Sequence, residues 1–257
     1  MTVLNTSVHR IPLPVAPLTA AMVALCFASL AQAAVYDVAN DFSIASNPNG
    51  VWTYGSENAL GGALTLFNVP STCCSGLDFW TNSFSFPVDV HNSSGSTINP
   101  AGTNPSPAGA AAFHPSSSGQ FAIYRFTAPS SGTYKLDVTF TGFDNVGPTT
   151  TDVHVLVGSV SLFSGAIAAY NGTANYANSS LVLAANDFID FAVGFGSDNS
   201  YLFDTTGIAA TITVPDSRSV PEPASLALMA IGLGGLFATR RRHSRNPCRV
   251  RAKSIRC

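Results

Sequence analysis

The sequence predicts an all-β fold, an antiparallel β-sandwich of jelly-roll type, on three observations. Charged residues make up only 10% of the 257 residues. Between residues 34 and 214, short alternations of apolar and polar residues are separated by turns rich in Gly, Pro, Asn and Ser. No long helical periodicity precedes residue 224. About nine or ten short strands in a domain of this size favour a sandwich.

The clearest strand signal covers residues 133–141. There the apolar residues Tyr134, Leu136, Val138 and Phe140 alternate with polar ones, so we expect one buried face and one wet face. Other segments show weaker forms of the same pattern. They are residues 35–42, 51–55, 63–67, 120–127, 151–157, 160–163, 181–183, 188–195 and 208–214.

Residues 92–119 differ from the rest of this domain. They are composed mainly of Ser, Pro, Gly, Asn and Ala, and no apolar period is visible. A stretch this long without a pattern is typical of a functional surface loop or a disordered segment. We expect a flexible loop.

The N-terminus has the features of an export signal. His9 and Arg10 give a weakly basic start, residues 18–30 form an apolar core, and Ala31-Gln32-Ala33 is a small-x-small cleavage site. These features predict a signal peptide over residues 1–33. The alternative, a first membrane anchor, is disfavoured because the apolar core is short.

A second apolar segment follows a linker at residues 215–223. The linker ends in Pro221, Glu222 and Pro223, and the prolines exclude a helix before residue 224. The apolar run at 224–239 predicts a single transmembrane helix, short of the roughly 20 residues that span a bilayer comfortably. Snorkelling arginines extend its reach.

The segment after this helix is basic. Arg240, Arg241 and Arg242 begin a tail that covers residues 240–257. Positive charge stays on the cytoplasmic side of a membrane. The tail is therefore predicted to be cytoplasmic, and the domain at 34–214 to face away from the cytoplasm.

A Pro-Glu-Pro element, a short apolar helix and an arginine cluster, in that order, resemble the PEP-CTERM sorting signal of exported bacterial proteins. The resemblance implies that a membrane-embedded exosortase recognises Pro221-Glu222-Pro223 and cleaves nearby. The protein would then pass from an inner-membrane-anchored intermediate to the cell surface or the extracellular matrix. A plain stop-transfer anchor that is never cut is the alternative.

The domain itself is similar to the ectodomains of a group of PEP-CTERM proteins. The similarity rests on residues 41–43, 47–55, 125–129, 132–134, 150–155 and 187–194. Such ectodomains look like carbohydrate-binding jelly rolls, so the resemblance implies the same fold here and association with polysaccharide.

The charge of the exported part limits its partners. Residues 34–219 contain thirteen Asp and Glu against three Lys and Arg. So acidic a domain cannot coat a phosphate backbone, which excludes nucleic acid as a partner. Neutral sugars, cations and other proteins remain.

The exported part contains no familiar catalytic motif. It has no Gly-x-Ser-x-Gly elbow, His-Glu-x-x-His pair or Cys-x-x-Cys motif, and Glu57 is its single glutamate. Asp152 and His154 would share one face of a strand. That arrangement is either half of a metal or acid–base site or a solvated strand face.

Sugar recognition requires aromatic side chains that can stack on a pyranose ring, with amides and carboxylates nearby. The candidates are Trp52, Tyr54, Tyr170, Tyr176 and Tyr201. Tyr170 and Tyr176 fall in a polar segment, residues 169–176, which we predict to be an exposed loop. Trp52, together with Trp80, has core burial as its alternative.

A structural calcium ion is also predicted. Asp144, Asp198 and Asp204 lie near loops and supply the hard oxygen ligands that calcium requires. The adjacent Cys73 and Cys74 form either a strained vicinal bridge, free thiols or links between chains, because neighbouring Cα atoms lie about 3.8 Å apart, below the usual disulfide range.

The sequence as a whole predicts an exported, non-enzymatic protein of the cell envelope or extracellular matrix that associates with exopolysaccharide. A structural or adhesive surface protein without a sugar site is the first alternative. A polysaccharide hydrolase that uses aspartates is the second.

Overall fold

The computed structural model describes residues 33–82, 86–100, 102–147 and 149–214. The predicted signal peptide, linker, transmembrane helix and basic tail lie outside these residues. No helix in the described part has the length and apolar character needed to cross a membrane.

The described residues form fourteen β-strands in two antiparallel sheets. The strands are β1 (Ala34–Asp37), β2 (Trp52–Glu57), β3 (Thr65–Leu66), β4 (Val69–Cys73), β5 (Leu77–Thr81), β6 (Val88–Asn92), β7 (Ala111–His114), β8 (Phe121–Thr127), β9 (Gly132–Gly142), β10 (Asp152–Val157), β11 (Val160–Ala166), β12 (Thr173–Leu183), β13 (Phe188–Gly194) and β14 (Thr206–Val214). The predicted all-β, antiparallel architecture is confirmed.

The larger sheet has eight strands in the order β12-β9-β14-β7-β6-β5-β4, with β1 paired to β14 at the side. The smaller sheet has six strands in the order β11-β10-β13-β8-β2-β3. Neighbours in the sheets are often distant in sequence, so most of the structure rests on long-range pairing.

The alternating residues of the strands pack between the two sheets. On β9, Tyr134, Leu136, Val138 and Phe140 are buried, as the sequence predicts. Val153 and Val155 on β10 fill the same core from the other sheet. Each such burial contributes about 1.5–3 kcal/mol relative to an exposed side chain.

Two buried polar contacts join the sheets through this aromatic core. The hydroxyl of Tyr124, on β8, donates to the carbonyl oxygens of Val90 at 2.8 Å and Ala112 at 3.1 Å, on β6 and β7 of the other sheet. In the same direction, Gly55 N–H on β2 donates to Asp89 Oδ2 on β6 at 3.2 Å. The register of β6 and β7 against the smaller sheet is therefore held by specific bonds as well as by packing.

The outer face of the smaller sheet carries a buried ion pair network. Arg125 Nη2 lies 3.0 Å from Glu57 Oε1, and Arg125 Nε lies 2.6 Å from Asp190 Oδ1. Burial raises the pKa of both acids, that of Glu57 to about 7. The guanidinium group therefore holds both carboxyl groups, including that of Glu57, the single glutamate of the exported part.

The prediction of a flexible loop over residues 92–119 is wrong for residues 111–114, which form β7, and for the start of the segment at Asn92. β7 lies inside it, fully buried between β14 and β6. The Asn92 side chain donates to the carbonyl oxygens of Ser96, Ser106 and Pro107, each at 2.9 Å. Hydrogen bonds from the Asn92 side-chain amide to backbone carbonyl groups therefore order the segment. Such bonds need no alternation of apolar residues, so the sequence pattern does not reveal them.

The thiol pair lies at the tip of the β4–β5 hairpin. Cys73 and Cys74 are exposed and free, with their sulfur atoms 2.7 Å apart. The vicinal bridge is not formed, since both residues are free thiols. A link between chains stays a prediction.

Tyr124→Phe tests the bond between the sheets. We expect it to lower the free energy of unfolding by about 1–3 kcal/mol, because two buried carbonyl groups lose their donor. The matched control is Tyr134→Phe, which removes a bond to Ser130 O in a surface turn, where water can replace it. Urea unfolding measures both variants. Equal losses in the two would contradict a special role for Tyr124.

Candidate functional site

Two of the five predicted sugar-stacking residues belong to the core. Trp52 is 1% exposed and donates through Nε1 to Asp41 Oδ2 at 3.1 Å. Tyr54 is fully buried, and its hydroxyl accepts from Ser43 N–H at 3.3 Å. Neither ring can stack on an external ligand, so these predictions are wrong. Trp80 is buried as well.

Tyr170 and Tyr176 have different environments. Tyr170 is 45% exposed, as predicted. Tyr176 lies on β12 and is half-buried, with its ring stacked on Phe163 at a centroid distance of 5.5 Å. The predicted loop at 169–176 therefore becomes a strand at Thr173. β12 is an edge strand with one solvent-exposed face, so its sequence shows little apolar alternation. The sequence pattern therefore did not predict a strand here.

Tyr201 lies in a cleft of about 400 Å³. We call this the Tyr201 cleft. It is lined by strands β6 and β7 with Phe86, by the segment 103–104, by the segment 201–205, and by Asp144, which is hydrogen-bonded to Thr205. β6 and β7 come close to the segment 201–205 because β14, which follows that segment, pairs with β7 in the larger sheet.

Aromatic rings form one wall of the cleft. The Phe86 ring stacks on His114 at 3.8 Å, and Tyr201 lies 5.9 Å from Phe86 and 6.0 Å from His114. Burial lowers the pKa of His114 to about 4, so this imidazole is neutral at pH 7. Its Nδ1–H donates to Pro115 O at 2.9 Å. The wall is therefore aromatic and uncharged.

Phe203 contributes a further aromatic ring, and its backbone has an uncommon conformation. Its φ is +68°, a region that non-glycine residues rarely adopt. The ring lies against Gly147, where an added Cβ would collide with it. The absence of a side chain at residue 147 thus makes room for Phe203, which stays partly exposed at the cleft.

The floor of the cleft is polar. Asn104 Nδ2 donates to Thr205 Oγ1 at 3.3 Å, while Asn104 Oδ1 is buried and has no hydrogen-bond partner. Asp144 Oδ2 accepts from Thr205 N–H at 2.6 Å, and burial raises the pKa of this carboxyl group. A buried acceptor without a partner is costly, unless a ligand or water supplies a donor.

The three predicted calcium ligands, Asp144, Asp198 and Asp204, are hydrogen-bonded to Thr150 or Thr205. Asp198 and Asp204 both accept from Thr150 Oγ1, at 2.9 and 3.2 Å, and Asp144 bonds the next residue after Asp204. Asp204 Oδ2 is buried without a partner. No three His, Cys, Asp or Glu residues of the described part are close enough to hold a metal ion. Calcium stays a prediction.

A second cleft of about 530 Å³ lies on the outer face of the larger sheet. It is lined by small and polar side chains of β9, β12 and β14, with Tyr176 as its one aromatic residue. That ring is already stacked on Phe163. The Tyr201 cleft is therefore the better candidate, since it combines several rings with an unpartnered acceptor.

Sequence reasoning found Tyr201 and Asp144 but missed Phe86, Asn104 and His114. Asn104 and His114 fell inside the segment predicted to be a flexible loop. Asparagine near a turn is common enough that nothing in the sequence singled out residue 104.

Asp204→Asn tests the electrostatics of this region. Burial, followed by the charges of Asp198 and Asp144, raises the pKa of Asp204 from 3.8 to about 7. The unfolded chain ionises first as the pH rises, so the wild-type domain loses stability between about pH 4 and pH 7. We expect the variant to lose less stability than wild type between pH 5 and pH 8, measured by urea midpoints. Parallel losses would contradict the raised pKa.

Comparison with solved structures gives distant matches. A family 35 carbohydrate binding module from Clostridium thermocellum is 14% identical, with 71% of this chain and 98% of that chain covered and a TM-score of 0.30. A family 51 module from Clostridium perfringens, in complex with methyl-galactose, is 14% identical over 58% of this chain and 95% of that chain, with a TM-score of 0.34. At these TM-scores the matches assign no ligand and no site to this chain.

Sequence comparison finds a match near the C-terminus of the chain. No curated protein matches. The family model of the PEP-CTERM protein-sorting motif matches residues 219–242, which contain the Pro-Glu-Pro element, the apolar segment and the three arginines. The chain therefore carries a PEP-CTERM sorting motif behind an all-β domain, as its C-terminal sequence predicted.

Proposed function

We propose that this is an exported protein whose β-sandwich binds a saccharide unit of an extracellular polysaccharide in the Tyr201 cleft and carries out no reaction on it. The observation on which the proposal rests is the aromatic cleft lined by Asn104, whose buried Oδ1 has no hydrogen-bond partner. Stacking and a buried hydrogen bond are the two interactions that sugar recognition requires.

Each interaction has a residue suited to it. Tyr201 and Phe86 provide rings against which the apolar face of a pyranose can pack. A sugar hydroxyl group would donate to Asn104 Oδ1, which gains a partner that the free protein does not supply. The volume of the cleft, about 400 Å³, falls in the range of small-molecule sites.

The charge of the cleft restricts the class of sugar. Asp144 is the one charged side chain of its lining. The cations of the described residues, Arg125 and Lys135, are paired with carboxylates elsewhere. A neutral or amine-bearing sugar therefore fits better than an anionic uronate, which would meet like charge and no cation.

Delivery follows from the sorting motif. Exosortase would recognise Pro221-Glu222-Pro223, while residues 224–239 hold the protein in the inner membrane and the arginines keep the tail in the cytoplasm. Processing would then release the domain to the cell surface or the matrix, where extracellular polysaccharide is found.

The hydrolase alternative cannot use the closely spaced acids of the smaller sheet. A glycosidase needs two carboxyl groups that are free to act on either side of the bond. Glu57 and Asp190 are the closely spaced acids of the smaller sheet, and both are bound by Arg125. The adhesive alternative is favoured by one observation, the exposed thiols of Cys73 and Cys74, which are able to link copies of the chain.

Sugar binding is tested with the purified full-length chain and the variant Tyr201→Ala. We expect the variant to bind a neutral or amine-bearing polysaccharide on the order of tenfold more weakly, because it loses a stacking ring. The matched control is Tyr170→Ala, an exposed tyrosine outside the cleft, which should bind like wild type. Isothermal titration calorimetry measures all three.

The ligand panel should contain a neutral glucan, a glucosamine polymer, a uronate polymer and the producer's own exopolysaccharide. Absence of binding to all four would overturn the proposal and leave the adhesive alternative. Binding that Tyr170→Ala weakens as much as Tyr201→Ala would place the site elsewhere.

A further inference from the structure

A hydrogen-bonded chain of three side chains lies on the outer face of the smaller sheet, away from the Tyr201 cleft. Ser164 on β11 is directly opposite His154 on β10, and Asp152 precedes His154 by two residues on the same face. Ser164 Oγ lies 2.9 Å from His154 Nδ1, and His154 Nε2 lies 2.7 Å from Asp152 Oδ2. The sharing of one face by Asp152 and His154 agrees with the strand alternation in the sequence.

The ionisation state of Asp152 decides where the protons lie. Burial opposes the charged form, but hydrogen bonds from His154 and from Gly196 N–H outweigh it and lower the pKa of the Asp152 carboxyl group. An ionised carboxylate can only accept, so His154 Nε2 carries the proton. In the neutral imidazole, His154 Nδ1 is then the acceptor for the hydroxyl hydrogen of Ser164.

The surroundings hold this arrangement in place. Gly194 lies beside Asp152 and Phe121, and an added Cβ there would collide with both. The Phe121 ring is edge-on to His154 at 5.9 Å. His154 is 8% exposed, whereas Ser164 is exposed. The base is therefore sheltered and fixed, and the hydroxyl group is open to solvent.

We propose that Ser164 is a nucleophile that accepts acyl groups from small acyl esters, with His154 as its general base and Asp152 as a positioning residue. A serine activated by a histidine that is itself oriented by a carboxylate is the arrangement that acyl transfer requires. O-Acetyl esters are the simplest substrates of this class. This activity is separate from sugar binding in the Tyr201 cleft.

The reaction needs no oxidant or cofactor. A bond forms between Ser164 Oγ and the acyl carbon, and the hydroxyl proton passes to His154 Nδ1. The bond between the acyl carbon and the ester oxygen then breaks, and His154 returns the proton to the departing alcohol. Ser161 Oγ, 3.4 Å from Ser164 Oγ, is a second hydroxyl group able to donate to the acyl oxygen.

The test treats the full-length chain with p-nitrophenyl acetate and, separately, with a fluorophosphonate. We expect intact mass and peptide mapping to find one added group on Ser164. Ser164→Ala should lose the label, and His154→Ala should acquire it at least about a hundredfold more slowly. The matched control is Ser179→Ala, an exposed serine on β12 with no histidine partner, which should be labelled like wild type.

The variant Asp152→Asn tests whether Asp152 orients His154 for the reaction or only stabilises the fold. It should lower the maximal labelling rate and leave the reagent concentration for half-maximal rate unchanged, because the histidine is misoriented while the exposed serine is unaltered. Circular dichroism confirms that each variant is folded. An unlabelled wild-type chain, or a label that persists in Ser164→Ala or forms at full rate in His154→Ala, would overturn the proposal.

Discussion

The hydroxyl group of Tyr124 holds the two sheets in the register on which the rest of the domain depends. Its two acceptors, Val90 O and Ala112 O, lie on β6 and β7 in the middle of the larger sheet. These strands also provide His114 and the base of the Tyr201 cleft. This bond between the sheets helps to fix the strand that places His114 beside Phe86 and Tyr201, because a shift of β6 or β7 would leave a carbonyl group without its donor.

Strands that bury one face and wet the other were predictable from sequence. β9 and β14 show this in their alternating residues, since each packs its apolar side on a single core. β10 alternates in sequence as well, but its residues 153–156 are all buried. β7 was not predictable, because it is only four residues long and buried throughout. Asn92 was missed for a different reason, since a side chain that bonds three carbonyl groups orders a loop without any periodic signal.

The residues of the candidate site were harder to predict from the sequence than the strands. Aromatic identity alone does not distinguish a core ring such as Trp52, at 1% exposure, from a partly exposed one such as Tyr201. The Tyr201 cleft also joins segments that are about a hundred residues apart, of which Asn104 and Thr205 are an example. In contrast, Asp152 and His154 were predicted to share a face, because two residues on one strand need only the local period.

The most direct test of a saccharide site in the Tyr201 cleft is an NMR titration of the isotope-labelled full-length chain with the oligosaccharide that binds most tightly. A ligand in the cleft would shift the side-chain amide signal of Asn104 together with the ring signals of Phe86 and Tyr201. The Tyr170 ring, outside the cleft, would not shift. Shifts confined to the groove around Tyr176, or an unchanged Asn104 amide at saturation, would contradict the account.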